Sequence, residues 1–198
     1  MDFFISPVRL ATPEIIEWCE NYVLKIRCEG RKIHYPGWDT DQNDPTGINI
    51  CDTNLRKILE APKVHVYYLP DSTGIHFDLG ATYMLIFLGY KKEVVFVNGN
   101  KKEFEEKYVS KELLRSIRET GTISIQYSKE DMALHFLLGA AYILIRILGY
   151  KKRIIFANRD DFKEEFVFKE GRLINKGGKS YLNVLNFLDQ DTRKEVKK

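Results

Sequence analysis

Residues 64–98 read VHVYYLPDSTGIHFDLGATYMLIFLGYKKEVVFVN and carry the clearest secondary-structure signal of the chain. Segments 64–69 and 93–97 are short apolar runs rich in β-branched and aromatic residues, which are typical of buried parallel strands. Between them, the turn residues PDSTG open an apolar stretch that ends at Leu88-Gly89, which predicts a buried helix. A strand, a helix and a strand in this order predict a βαβ unit in a parallel sheet.

The preceding part of the chain continues this alternation. Residues 2–8 (DFFISPV) and 31–35 (RKIHY) are predicted strands, and the residues TPE at 12–14 supply the N-cap, the first-turn proline and the early acid of a helix between them. Helical spacing of apolar residues predicts another helix over 50–61. Residues 1–98 therefore predict a doubly wound, flavodoxin-like α/β fold with four parallel strands covered on both faces.

The chain then repeats its own central segment. The stretch HFDLGATYMLIFLGYKKEVVFVN at 76–98 aligns with HFLLGAAYILIRILGYKKRIIFAN at 135–158, which has one extra residue. Asp78 becomes Leu137, and the loop PDSTG becomes KEDMA, so the scaffold is copied without its polar groups. A second strand-helix-strand unit is expected either to extend the sheet or to build an interface.

These patterns predict a single α/β domain in two halves. Residues 1–98 form the half that bears the site, and residues 99–188 form a degenerate repeat half. The second half includes a charged bridging helix over 101–120 and a closing amphipathic helix over 179–188. Residues 189–198 are expected to be a frayed tail.

The composition is that of an ordinary globular protein and argues against several partners. The 198 residues are 44% hydrophobic and carry a formal net charge of +3, a field too small to attract nucleic acid. The apolar segments 75–90 and 134–150 are shorter than the roughly 20 residues that a bilayer needs, and they contain charged residues, so no membrane partner is expected. Three cysteines without metal or redox spacing, and no charged-then-apolar leader, predict a cytoplasmic protein.

Ligands of an open parallel sheet bind beyond the carboxyl ends of its strands, where the strand order reverses. The segments at this edge are SPVR at 6–9, the polar loop WDTDQNDPTG at 38–47, and residues 71–78. We expect the three segments to face one pocket. The acids of the polar loop lack the glycine and terminal glutamate of a calcium loop, so neither a metal nor another cofactor is expected.

The motifs SPVR, WDTDQNDPTGINIC and STGIHFDLGA occur in this order over about residues 3–98. In this the chain resembles the nucleoside 2-deoxyribosyltransferases and the related 2'-deoxynucleoside 5'-phosphate N-hydrolases. That family carries a carboxylate, usually Glu, in a G-x-x-x-E-L-G pattern, where it attacks the anomeric carbon of deoxyribose. The resemblance implies that Asp78 takes this role, and that Ser72 and Arg9 hold a 5'-phosphate as in the hydrolase branch. The chain departs from the family where Asn54 replaces an Asp and where Pro62 replaces another before the third strand.

The candidate site thus has one catalytic residue, Asp78, and a set of residues expected to contact the sugar, base or phosphate. The contact set is Ser6, Arg9, Trp38, Asp39, Asp41, Asp44, Asn54, Ser72 and Gly74.

Other interpretations of the same residues stay open at this point. Asp78 could cap its helix, and Trp38 or Tyr68 could pack in the core rather than stack on a base. His76 recurs as His135 in the copy that lacks the polar loop, which indicates a packed, hydrogen-bonded histidine.

The leading functional hypothesis is an enzyme that cleaves or transfers the N-glycosidic bond of a deoxyribonucleoside or its 5'-monophosphate. The alternative is a non-catalytic nucleotide-binding or sensing module, and a third hypothesis is a structural protein that assembles through its apolar repeat helices. The resemblance implies a homodimer in which a neighbour closes the pocket, although the second copy could supply that contact within one chain.

Overall fold

The structure is a computed structural model, and it describes residues 1–7, 11–41, 43–44, 47–99, 101–164, 166–169, 172–175, 182–183 and 186. In chain order the elements are β1 (Asp2–Ile5), α1 (Pro13–Cys28), β2 (Ile33–His34), α2 (Pro36–Asp39), α3 (Ile48–Glu60), β3 (Lys63–Val66), α4 (Thr73–Phe87), β4 (Glu93–Phe96), α5 (Lys101–Tyr108), α6 (Lys111–Glu119), β5 (Thr122–Ile125), α7 (Met132–Tyr142), a π-helix (Ile143–Ile147), β6 (Arg153–Phe156), α8 (Arg159–Glu164), β7 (Phe166–Lys169) and β8 (Arg172–Asn175). Within these ranges, no helix combines the length and the apolar character needed to cross a bilayer.

Four parallel strands form the main sheet in the order β2-β1-β3-β4. Successive side chains of β1 point to opposite faces, so Phe3 and Ile5 enter one core cluster while Phe4 enters the other. Helix α1 packs on the Phe4 face, and α3 and α4 pack on the opposite face. The predicted α/β architecture, with a parallel sheet of four strands flanked by helices, is confirmed.

The second repeat does not extend this sheet, so that part of the predicted fold class is wrong. Strands β5 and β6 pair in parallel in a separate two-stranded sheet. The repeat instead attaches through helix α7, which packs along α4. Both helices are apolar on nearly every face, so each needs a cover on the side that its own strands do not bury. Of the two roles expected for the duplication, the structure shows the second, an interface between the two repeats.

The contact between α4 and α7 is reciprocal. A Cβ atom at Gly80 would lie 1.8 Å from the carbonyl oxygen of Phe136, and one at Gly139 would lie 1.8 Å from that of Phe77. Gly80 and Gly139, like Phe77 and Phe136, are equivalent positions of the two repeats. The helices are therefore related by a local two-fold axis, and glycine is needed where their backbones meet.

The extra residue of the second repeat is absorbed by the π-helix. Helix α4 stays α-helical to Phe87, whereas α7 gives way to a π-helical turn over Ile143–Ile147. A π-helical turn holds one more residue than an α-helical turn, so an insertion can be accommodated without ending the helix.

Several predicted elements differ in detail. The single charged helix expected over 101–120 is two helices. The first ends at Tyr108, and Ser110 caps α6 by accepting a hydrogen bond from the Leu113 N–H at 3.2 Å. The polar loop 38–47 overlaps the one-turn helix α2, and the antiparallel β7–β8 hairpin was not predicted. Most of the predicted closing helix and the whole tail 189–198 lie outside the described residues.

Candidate functional site

The candidate site lies at the carboxyl edge of the main sheet. Because β2, β1 and β3 are parallel neighbours, the loops that follow them emerge side by side at this edge. The chain moves from β1 to one side and then to the other, so the strand order reverses between β1 and β3. Ser6 follows β1 at this point, and Ser72 and helix α4 follow β3.

Asp78 lies on α4, one turn after Gly74 on the same helix face. The residue keeps part of its surface exposed, and no described residue forms a hydrogen bond or ion pair with its carboxyl group. Burial raises the pKa of Asp78 to about 7, since removal of water disfavours the charged form. Among the residues that the structure describes, the group neither caps its helix nor pairs with a charged side chain. A desolvated carboxyl group without a structural partner is a candidate reactive group.

The N-terminus of α4 is open. Ser72 is buried at the N-cap position, but its side chain accepts no hydrogen bond from the helix. Gly74, in the first turn, is exposed, and a Cβ atom there would meet nothing within 4 Å. The free N–H groups of an uncapped first turn attract anions, and they lie one turn from Asp78.

Ser6, in the loop after β1, lies on the α1 face of the sheet. Its buried Oγ faces the hydroxyl of Tyr35, which belongs to the same core cluster as Phe4, so Ser6 lies on a different face from Asp78. Arg9, the expected phosphate contact of this loop, lies outside the described residues.

Asn54 is oriented by a relay of hydrogen bonds. The Thr40 Oγ1 donates to the Asn54 Oδ1 at 2.8 Å and lies 3.0 Å from the Nε2 of His34. Because Thr40 uses its only proton on Asn54, His34 is the donor of the other bond. Burial lowers the pKa of His34, which favours its neutral form. The relay fixes the Asn54 oxygen towards Thr40 and leaves its amide N–H₂ for a ligand acceptor.

The acids of the polar loop have local structural roles. Asp39 accepts a hydrogen bond from the Tyr35 N–H at 2.7 Å and pairs with Arg27. Asp41 accepts from the N–H of Asn43, two residues on, at 2.9 Å. These two carboxylates stabilise the backbone of their loop and therefore have a structural role.

Asp44 acts in the same way at the start of α3, where its Oδ2 accepts from the Asn49 N–H at 2.7 Å. Trp38 turns towards α1, where its indole N–H donates to Glu20 at 3.1 Å and the Arg27 guanidinium lies over its ring. Since α1 and α4 cover opposite faces of the sheet, Trp38 lies on a different face from Asp78.

His76 is packed and hydrogen-bonded. It is fully buried, its Nδ1 lies 3.0 Å from the Ser72 carbonyl oxygen, and its Nε2 lies 3.3 Å from the Tyr68 hydroxyl. Tyr68 packs against Phe96 and Phe104, so its ring belongs to the core. The expected structural role of His76 agrees with this geometry, and the aromatic ring of Tyr68 is not a stacking platform.

The contribution of the second repeat to α3 was not predicted from the sequence. Asp52 accepts hydrogen bonds from the Tyr142 hydroxyl at 2.9 Å and from the Arg146 guanidinium at 2.7 Å. One signal was available, because Arg146 interrupts the apolar stretch ILIRI, for which the first repeat has MLIF. An arginine in a buried helix needs an acidic partner.

A cavity of about 330 Å³ lies at the opposite end of the helix pair from Asp78. It is formed where α4 and the π-helix end, and it is lined by Phe87, Leu88, Tyr90, Arg118, Leu148 and Tyr150. In the part of the chain that the structure describes, no group of three or more His, Cys, Asp or Glu side chains is arranged to hold a metal ion.

Comparison with known proteins finds no matching family model, no matching curated protein and no matching solved structure.

Proposed function

We propose that the chain cleaves or transfers the N-glycosidic bond of a deoxyribonucleoside or its 5'-monophosphate, with Asp78 as the nucleophile. The observation that carries the proposal is the Asp78 carboxyl group, which is desolvated, has no partner among the described residues and keeps some exposure at the ligand edge of the sheet. The proposal includes the flavodoxin-like fold that the alternation of elements predicts, the membership of the nucleoside 2-deoxyribosyltransferase family that the resemblance implies, and the cytoplasmic location that the cysteine pattern predicts.

In the proposed reaction, an ionised Asp78 oxygen attacks the anomeric carbon of the sugar as the bond to the base nitrogen breaks. The base leaves with the electron pair and takes a proton from water. A water molecule or a second base then attacks the same carbon, releases the Asp78 carboxylate and gives up a proton to solvent. Net hydrolysis consumes one water, and net transfer exchanges one base for another.

The surrounding groups have roles that match this substrate. The open first turn of α4, with Ser72 and Gly74, offers N–H and O–H donors to a phosphate or a sugar hydroxyl. The Asn54 amide, oriented by Thr40, offers donors to a carbonyl or ring nitrogen of the base. Arg9 follows β1, and a guanidinium there would bind phosphate with two hydrogen bonds.

Base release from deoxynucleosides and their 5'-monophosphates, followed by chromatography, tests the proposal. Asp78→Asn is expected to lower the rate on the order of 10³-fold or more, since it removes the nucleophile. Asp71→Asn is the matched control, because Asp71 is an exposed acid in the loop that precedes α4. Since only ionised Asp78 attacks, the rate should rise as the pH passes through about 7. Undiminished release by Asp78→Asn would remove Asp78 from this role.

A second candidate function is nucleotide binding without turnover. Asn54 stands where the family has an acid, and the acids of the polar loop are engaged in local structure, so the described residues offer no obvious proton donor for the leaving base. Calorimetry that shows saturable binding of a deoxynucleotide, together with no base release by the wild type, would favour this function.

A further inference from the structure

Two side chains of the second repeat hold one carboxylate of the first. The Tyr142 hydroxyl donates to the Asp52 Oδ1 at 2.9 Å, and the Arg146 guanidinium donates to the Oδ2 at 2.7 Å. Asp52 lies on α3, whereas Tyr142 ends α7 and Arg146 lies on the π-helix. Both carboxylate oxygens are therefore bound by residues that lie about ninety positions further along the chain.

Arg146 lies within the π-helical segment that accommodates the inserted residue of the second repeat. The first repeat has neither the insertion nor a charged residue in this segment. The interaction with Asp52 is thus a specific feature of the second copy.

Helix α3 is held from two sides. Asp52 is bound by the second repeat, and Asn54, two residues later and on a different helix face, is bound by Thr40. The contacts together fix the rotation of α3 about its own axis. This helix also packs against α4, which carries Asp78.

We propose that Tyr142 and Arg146 are positioning residues, which set the orientation of α3 and thereby place the Asn54 amide relative to Asp78. The second repeat then completes the site within a single chain, with no residue required from a second copy. This inference rests on the proposed function of the Asp78 site.

The local two-fold axis supplies a matched control. Tyr83 is the counterpart of Tyr142 in the first repeat, and its hydroxyl donates to Glu105 at 2.7 Å. Tyr83 also packs against Phe136 as Tyr142 packs against Phe77. Tyr83 therefore contacts the second repeat, whose helix has Leu137 in place of Asp78.

The experiment compares Tyr142→Phe and Arg146→Met with Tyr83→Phe in the full chain. Each tyrosine variant loses one hydrogen bond to a carboxylate, so both should lower the thermal midpoint by about 2–4 °C. Only Tyr142→Phe and Arg146→Met should reduce kcat/KM, by roughly tenfold and mainly through kcat, because misorientation of the base impairs the reacting geometry. The wild type should sediment as a monomer at a concentration where it is fully active.

The outcomes separate this inference from the function on which it rests. Suppose first that the wild type releases base. The positioning role alone is then overturned if kcat/KM of Tyr142→Phe stays within twofold of the wild-type value, or if Tyr83→Phe reduces kcat/KM equally. If the wild type releases no base, the proposed reaction fails, and calorimetry with the four deoxynucleoside 5'-monophosphates decides the positioning role. Weaker binding by Tyr142→Phe than by Tyr83→Phe then supports it, and equal or absent binding overturns it. If the active form is a dimer that loses activity on dissociation, the inference that one chain completes the site is overturned.

Discussion

The two repeats share their internal scaffold and differ at the end where α4 and α7 begin. In both, an asparagine after the second strand bonds the N–H and the carbonyl of a tyrosine after the first, and a buried histidine lies in the helix. The pairs are Asn98 with Tyr68 and Asn158 with Tyr127, and the histidines are His76 and His135. These hydrogen bonds occur in both copies, as expected of residues that stabilise the fold.

At the helix N-termini, the second repeat satisfies groups that the first leaves open. Asp131 caps α7 by accepting a hydrogen bond from the Leu134 N–H at 3.2 Å, whereas its counterpart Ser72 does not cap α4. Leu137 stands where the first repeat has the desolvated Asp78. The first repeat therefore keeps costly polar groups that the same scaffold does not need, and such local destabilisation is typical of functional sites.

The largest expected effect on stability comes from variants that disrupt the packing of α4 against α7. Gly80→Ala and Gly139→Ala each place a methyl group against a backbone carbonyl of the facing helix, so α4 and α7 must separate. We expect each variant to lose about 3–5 kcal/mol of unfolding free energy in urea denaturation. Gly74→Ala, on the same helix but with open space around it, should change stability by less than about 1 kcal/mol. A normal midpoint for either close-contact variant would contradict the helix pairing.

An intermediate effect comes from exchanging Asp78 and Leu137. Asp78→Leu should stabilise the protein by about 2 kcal/mol at pH 8, since it removes a desolvated charge. The folded pKa of Asp78 is raised, so its cost is absent below the unfolded pKa of about 4 and grows as the pH rises to about 7.

The gain from Asp78→Leu should therefore be small at pH 4 and complete at pH 8, as measured by urea unfolding at both. Leu137→Asp is the reverse exchange and should destabilise the protein more at pH 8 than at pH 4. A loss of stability in Asp78→Leu at pH 8 would show that Asp78 is a structural residue.

The smallest expected effect concerns the helix caps. Ser72→Asp should cap α4 as Asp131 caps α7 and raise the unfolding free energy by about 0.5–1 kcal/mol, while Asp131→Ser should lower it by a similar amount. The added charge of Ser72→Asp should also weaken binding of a 5'-monophosphate more than that of the nucleoside, measured by calorimetry. Equal weakening of both ligands would argue against a phosphate at this helix end.

The sequence predicted the elements of the first half because their signals are local. The Thr12 cap, the apolar strand runs and the glycine-ended helices each act within a few residues, and the structure has an element at each. The site was predictable only in part. Asp78 was identified by motif and is free of described partners, whereas Asp39 and Asp44 were named as ligand contacts and instead bond neighbouring backbone.

The sequence by itself determined the alternation of strands and helices, the duplication and the loss of the acid from the second copy, since periodicity and identity can be read without coordinates. Only the tertiary structure decided that the second copy packs on the first through paired glycines rather than adding strands to its sheet. It also decided that Arg146 reaches Asp52. Contacts between residues far apart in the chain depend on how whole faces fit together, and that fit leaves no local pattern in the sequence.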